Sequence, residues 1–390
     1  MLNLIFYLTL FLLSLNQLTS VSRSGESNFY LFDFSVIFFA LFGFCYFLLV
    51  KKSFKIPKFS VLFLIFTLSA FASLVFSFNK FSIDQFTVSG FYLVRWVAYL
   101  LASVVLFNML DKKMISKEKV FNALVMSGVL VSLIGFVQLI VLPDFTRLSP
   151  ELGWDPHKNR LASSFFDPNF VGAYLTICLT IVIERIFGDR KVGKWDIAAF
   201  VIMLLALFLT FSRSAWAMFA VVILIYGFFR SKMLLITAFL MAFMVYFAVP
   251  RIQTRVSGIT DPADSASLRI VSWGNAYKII KDNFLLGAGF NTYRYVQEQY
   301  GFLTPDNQNV RSGAGADSSL LFVFATTGII GFLLYLVSYS YCLMEGFVTR
   351  NLKGLVIFSV MMGLLVESFF INSLFYPQIL FALFALLVAF

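Results

Sequence analysis

Apolar runs of membrane-crossing length dominate the chain. They fall at 2–18, 29–50, 59–78, 91–110, 120–142, 169–187, 195–211, 215–229, 233–249, 318–341, 354–371 and 377–390. Each is predicted as one helix, since about 20 apolar residues cross a bilayer core. The polar intervals between them are short, with two exceptions at 143–168 and 250–317. The pattern therefore predicts an all-α polytopic membrane protein of about twelve transmembrane helices. It forms one domain, 1–390, with two extracytoplasmic elaborations at those long intervals. The runs at 215–229 and 377–390 are the shortest, and Pro377 suits a first helical turn. No basic residue precedes the apolar run that opens Met1-Leu2-Asn3-Leu4-Ile5-Phe6. That run is predicted as a retained first span rather than a cleaved signal peptide.

Charge then orients the spans. Lys51, Lys52, Lys55 and Lys58 form one cluster, and Lys112, Lys113, Lys117 and Lys119 a second. Arg190, Lys191 and Lys194, then Arg230 and Lys232, then Arg350 and Lys353 continue the series. All fall on one side of the predicted spans, which the positive-inside rule makes cytoplasmic. The expected location is the cytoplasmic membrane, with both termini cytoplasmic. Composition agrees: 60% of residues are hydrophobic and 13% charged, too little polar surface for a soluble domain. The net charge of +10 is spent on topology rather than on nucleic acid. Cys45, Cys178 and Cys342 lie in or beside different apolar runs, unlike a disulfide framework or a zinc site. A site of several histidines is excluded, because His157 is the only one.

The interval 250–317 breaks the charge trend. It faces outward yet carries Arg251, Arg255, Arg269, Lys278, Lys281, Arg294 and Arg311. Long loops are exempt from the charge rule, so these cations point to a bound anion. Within the interval, 267–283 has helical periodicity. Ile270, Trp273, Tyr277, Ile280 and Phe284 make a stripe expected to lie on the membrane face. Asp261-Pro262 and Asp264-Ser265 upstream read as turn and cap signals. Leu286-Gly287-Ala288-Gly289 follows, either as a plain turn or as backbone able to approach a ligand closely.

Arg213 emerges at the end of the run closing at Phe211, in Phe211-Ser212-Arg213-Ser214-Ala215-Trp216. It reads as a snorkelling side chain or as a diphosphate ligand, whose oxygens a guanidinium matches with two hydrogen bonds. Arg95, beside Trp96, lies about one turn inside its run and carries the same two readings. Asp317 stands at the mouth of the run 318–341. It is expected either to cap that helix or to accept a proton from a sugar hydroxyl. In 143–168 the polar candidates are Arg160, His157, expected to be a solvated loop residue, and Asp167-Pro168-Asn169, where a helix should start.

These residues, taken in order, carry a resemblance. Asp167-Pro168-Asn169-Phe170-Val171-Gly172, the segment around Arg213, Arg269-Ile270-Val271-Ser272-Trp273, Leu286-Gly287-Ala288-Gly289-Phe290-Asn291-Thr292-Tyr293, Asp317-Ser318-Ser319-Leu320-Leu321 and Thr327-Gly328-Ile329-Ile330-Gly331-Phe332 resemble the bacterial O-antigen polymerase/ligase family. The likeness spans residues 160–340. It implies a membrane glycosyltransferase of GT-C-like architecture, metal-independent and without a cofactor. Such an enzyme moves a glycan from an undecaprenyl-diphosphate carrier to a glycan, lipid or protein acceptor at the outer membrane face. The resemblance implies that Arg213 and Arg269 hold the diphosphate. Arg95, Arg160, Asn169 and Tyr293 are further substrate-binding candidates, and Asp317, Arg269 and Arg213 form the catalytic set. One departure stands out: many members have a His-Asn pair where this chain has Asp317-Ser318. Either Asp317 replaces the histidine as base, or the acceptor is activated differently. The competing reading is a flippase of lipid-linked glycans. It expects polar groups through the depth of the bundle and internal symmetry, neither of which the sequence displays.

Overall fold

In the computed structural model, residues 1–22, 29–148, 156–188, 192–257, 265–303, 315–349 and 352–389 are described. Asp155, Arg190, Lys191, Asp261, Pro262, Asp264, Arg311 and Arg350 lie outside them. The helices are α1 (Leu2–Leu15), α2 (Leu31–Cys45), α3 (Lys58–Phe76), α4 (Ile83–Asp111), α5 (Lys117–Val141), α6 (Pro168–Phe187), α7 (Lys194–Leu209), α8 (Arg213–Phe229), α9 (Lys232–Ala248), α10 (Pro250–Ser257), α11 (Ser265–Asp282), α12 (Tyr293–Gln299), α13 (Ser319–Val348), α14 (Leu352–Glu367) and α15 (Pro377–Ala389). A short antiparallel pair, Ser20–Ser22 with Phe29–Tyr30, joins α1 to α2.

Every predicted apolar run falls on a helix, and among the described residues seven stretches are long and apolar enough to cross a membrane. The chain is a multi-pass, all-helical protein. The remaining apolar helices, α7, α8, α9, α14 and α15, have 17 residues or fewer. At a rise of about 1.5 Å per residue, 17 residues reach only ~26 Å. Two of the predicted runs are shortened by polar turns at their ends. The run 195–211 stops at Leu209 before Thr210, and 354–371 stops at Glu367 before Ser368. Both turns prove to belong to the site.

Helix α4 is longer than the run that predicted it. A capping box starts it at Ser82: its hydroxyl accepts from the Gln85 amide at 3.2 Å, and its own amide donates to the Gln85 side chain at 3.2 Å. Arg95 consequently lies about three turns into the helix rather than one. The core sits where α6 and α15 meet the rest of the bundle. Nearly every residue of α15 is buried, including Phe381 and Phe384, as are Tyr174, Ile177 and Leu179 of α6. By contrast α9 buries none of its residues.

Helix α13 is broken at Gly328 (φ 65°, ψ −172°). The Gly-Ala-Gly turn after α11 fills the break. The Ala288 amide donates to the Ala325 carbonyl at 2.9 Å, Gly289 to Thr326 at 3.1 Å, and Ile329 to Phe284 at 2.8 Å. Ser73 of α3 donates to the same Thr326 carbonyl at 2.7 Å. A Cβ on Gly287 (φ 77°) would stand 2.4 Å from Thr326 backbone, and one on Gly328 2.3 Å from the Leu285 carbonyl oxygen. These glycines thus admit α13 rather than a ligand, and they lock α11 to the bundle.

The predicted membrane stripe on α11 divides. Ile270, Tyr277 and Phe284 are exposed, together with Leu268 and Val271. Ile280, by contrast, is buried with Ala276 and Ile279. Trp273 faces the bundle, donating from its indole to the Asp317 carbonyl at 3.0 Å. The helix has one apolar face packed on its neighbours and another that is exposed.

Candidate active site

The site lies where the polar turns at one end of α6, α8, α13 and α14 converge with the long loop. Asp167 starts α6, accepting at Oδ1 from the Asn169 amide at 2.7 Å, with Pro168 in the first helical position. Asn169 then turns its own Oδ1 toward two donors. These are Arg160 Nη2 at 3.3 Å and the Ser212 hydroxyl at 2.8 Å. Arg160 also donates from Nε to the Thr210 carbonyl at 2.9 Å, while the Leu161 amide donates to Leu209 at 2.8 Å. The 156–167 segment is thereby sewn to the turn that ends α7. Ser212 caps α8, which places Arg213 in its first turn, and Arg213 Nη1 donates to the Arg255 carbonyl at 3.1 Å.

Helix α10 adds cations that the sequence flagged only as loop charges. Arg251 donates to the carbonyls of Asn159 at 2.6 Å and Lys158 at 2.5 Å, and its guanidinium lies 4.1 Å over the Phe211 ring. Burial, first of all, holds the Arg160 guanidinium well below its ordinary range, and the neighbouring charges of Arg255, Arg251 and Arg269 push it further the same way. Asp167 acts against them. Like charges gathered in a buried setting repel one another. An anion entering it would relieve that repulsion.

On the other flank, the Asp317 amide donates to the Ser272 hydroxyl of α11 at 3.0 Å. Burial lifts the Asp317 carboxyl above the usual carboxylate range and the charge of Asp167 adds to the lift, while Arg269 and Ser272 act against it. The expected capping role of Asp317 does not occur. Ser318 is the cap, accepting from the Leu321 amide at 3.4 Å, so the Asp317 carboxylate is spared for other work. Tyr293, fully buried, lies within electrostatic reach of Asp317.

The structure thus joins Arg160, Asn169 and Ser212 by hydrogen bonds, with Arg213 next in the chain and bonded to the Arg255 carbonyl, and couples Arg269, Asp317 and Tyr293 electrostatically. Arg95 stands apart. It forms an ion pair with Asp33 at 2.8 Å, and the same carboxylate accepts from the Tyr99 hydroxyl at 2.9 Å. His157 is not the solvated residue expected: it is 8% exposed and stacked on Phe145 with ring centroids 4.1 Å apart. Its backbone explains this, since the Phe145 amide donates to the His157 carbonyl at 3.0 Å and draws the ring inward.

Sequence reasoning missed Glu367. This residue is completely buried at the end of α14, in reach of the charges of Arg269 and Asp167. A signal was present: it is the one ionisable residue in the apolar run 354–371, and such residues are functional suspects.

No curated protein matches the chain. Residues 198–336 match the family model described as O-antigen ligase. The match contains Arg213, Arg269, Tyr293, Asp317 and the break at Gly328, and it leaves Arg160, Asp167, Asn169 and Glu367 outside its bounds. It supports assigning this chain to the O-antigen ligase/polymerase family, whose members are membrane glycosyltransferase-like enzymes.

Proposed function

We propose that the protein transfers a glycan from an undecaprenyl-diphosphate carrier to a hydroxyl of an acceptor glycan, lipid or protein at the outer face of the cytoplasmic membrane. The observation that carries this reading is the crowding of Arg160, Arg213, Arg251, Arg255 and Arg269 around one turn, where burial and mutual repulsion already depress Arg160. A diphosphate is the anion that fits, because each guanidinium offers a planar pair of donors to phosphate oxygens and stays charged when desolvated.

The bond changes follow from the two flanks. The acceptor hydroxyl oxygen attacks the anomeric carbon. The bond from that carbon to the diphosphate oxygen breaks, and its electron pair leaves with the diphosphate. Arg213 and Arg269, with Arg160 behind them, stabilise the negative charge that develops there. The hydroxyl proton passes to Asp317. Burial suits Asp317 to this role by raising its proton affinity toward the operating pH. The apolar outer face of α11, with Leu268, Ile270 and Val271 exposed, suits contact with the polyprenyl tail.

The test is lipid analysis of cells carrying wild type, Arg269→Ala or Asp317→Ala as the only copy. At normal protein levels, single undecaprenyl-linked units are expected to accumulate on the outer leaflet in both variants. Accumulation on the cytoplasmic leaflet would mean a flippase, and no accumulation would remove the lipid-diphosphate donor.

A further inference from the structure

The outer turn between α14 and α15, residues 368–376, is held against Asp317 by a single serine. The Ser319 amide donates to the Ser368 carbonyl at 2.9 Å, its hydroxyl donates to Ile371 at 3.1 Å, and the Leu374 amide donates back to that hydroxyl at 3.1 Å. Asn372 lies against Gly315, where a Cβ would stand 3.0 Å from the Asn372 amide nitrogen. The turn and the segment 315–319 are therefore neighbours.

Buried oxygens that the fold leaves poorly satisfied lie on this turn, at the end of α14 before it, and on Tyr293 of α12. Both carboxylate oxygens of Glu367, Asn372 Oδ1, Ser373 Oγ and the Tyr293 hydroxyl have no hydrogen-bond partner of normal geometry among the described residues, although Ser373 stands beside Glu367. Leaving one such group unsatisfied costs about 1–3 kcal/mol. Several such buried groups close to one turn mark a place adapted to a ligand rather than to the fold. Their chemistry says which ligand. A carboxylate and amide and hydroxyl oxygens accept hydrogen bonds from hydroxyl groups, and Ser373 and Tyr293 also donate. Aromatic rings stand alongside, Trp273 and Phe370 with centroids 6.2 Å apart, suited to the C–H face of a pyranose.

We infer that Glu367, Asn372, Ser373 and Tyr293 form the subsite for the acceptor, and that its ligand is a sugar hydroxyl pair rather than any part of the diphosphate donor. This rests on the transfer reaction proposed above. The site then divides by charge. The arginines of 160–269 take the donor's diphosphate, the turn 368–376 takes the acceptor's hydroxyls, and Asp317 stands between them to receive the proton.

The test is a steady-state assay on the full-length protein in lipid nanodiscs. The donor is the undecaprenyl-diphosphate-linked glycan extracted from a strain lacking the protein, and the acceptor is that strain's envelope fraction. For Asn372→Ala/Ser373→Ala, the acceptor KM is expected to rise at least tenfold while the donor KM stays within twofold. Arg269→Ala should do the reverse. The milder Asn372→Ser is read the same way should the double variant fail to fold. A rise in donor KM, or an unchanged acceptor KM in a folded variant, overturns the assignment while leaving the transfer reaction intact. Absence of transfer by wild type overturns the reaction itself, and the subsite with it.

Discussion

Arg185 and Arg160 are both held in polar clusters at the ends of α6 or its approach, and they differ in what answers their charge. Arg185 is 2% exposed and meets the Asp196 carboxylate at 3.4 Å, Glu118 at 3.2 Å and the Asn122 amide oxygen at 2.6 Å. Arg95 is matched in the same manner by Asp33. Arg160 instead donates to a carbonyl and an amide oxygen, and the one carboxylate acting on it, Asp167, is set against three further arginines, Arg255, Arg251 and Arg269. A balanced cluster serves the fold, since a buried charge is tolerated only with its partner. An unbalanced one is worth keeping only if something else supplies the counter-charge. The comparison separates arginines that build from arginines that bind.

Breaking each kind should fail differently. Arg269→Ala is expected to lower transfer by two orders of magnitude or more, in line with losing one electrostatic stabiliser of a developing anion, with little change in thermal unfolding. Arg185→Ala should do the opposite, because it removes the guanidinium that balances the buried Asp196 carboxylate. A stability loss on the order of 3–5 kcal/mol is expected, seen as a lower unfolding temperature in detergent and reduced protein in the membrane. Equal activity losses at equal unfolding temperature would erase the distinction. Arg95→Ala belongs with Arg185: the protein should weaken while the donor KM of the surviving fraction stays unchanged.

Asp317 sharpens the comparison through pH. Its carboxyl is lifted by burial and by Asp167, against Arg269 and Ser272. As a base it works only when deprotonated, so the rate should fall as pH drops through a value above the ordinary carboxylate range. In Asp317→Asn the residual rate, about a hundredfold lower, should have lost that acidic limb. An acidic limb that persists unchanged in this variant assigns the proton to another group.

The apolar pattern made the helices legible, because a lipid-facing helix must be apolar wherever it sits. It could not place the ends. Thr210 and Ser368 sit at the ends of apolar runs yet terminate helices, since their neighbours serve the site. Arg213, Arg269 and Asp317 were legible as charges out of place. Glu367 was not, because one acid near the end of an apolar run reads as the run's end. Arg95 misled for a similar reason: its partner Asp33 lies 62 residues away on another helix. The Gly287 turn illustrates a further limit. Glycine signals close approach, but only the fold shows that α13 is what approaches.

The smallest expected effect is also the most discriminating. Asn169 lends one oxygen to Arg160 and Ser212 and carries no charge. If its work is to orient Arg160, Asn169→Ala should cost transfer about tenfold, near 1.4 kcal/mol for a lost orienting bond, and Asn169→Asp should be mild because both acceptor contacts survive. If the cation excess is what matters, the order reverses. The aspartate would place a negative charge among guanidinium groups meant for phosphate, raising the donor KM above that of Asn169→Ala. The repulsion already felt by Arg160 favours the second order. Comparing donor KM for the two variants decides it, and a milder effect for aspartate than for alanine would reduce the arginine cluster to scaffolding.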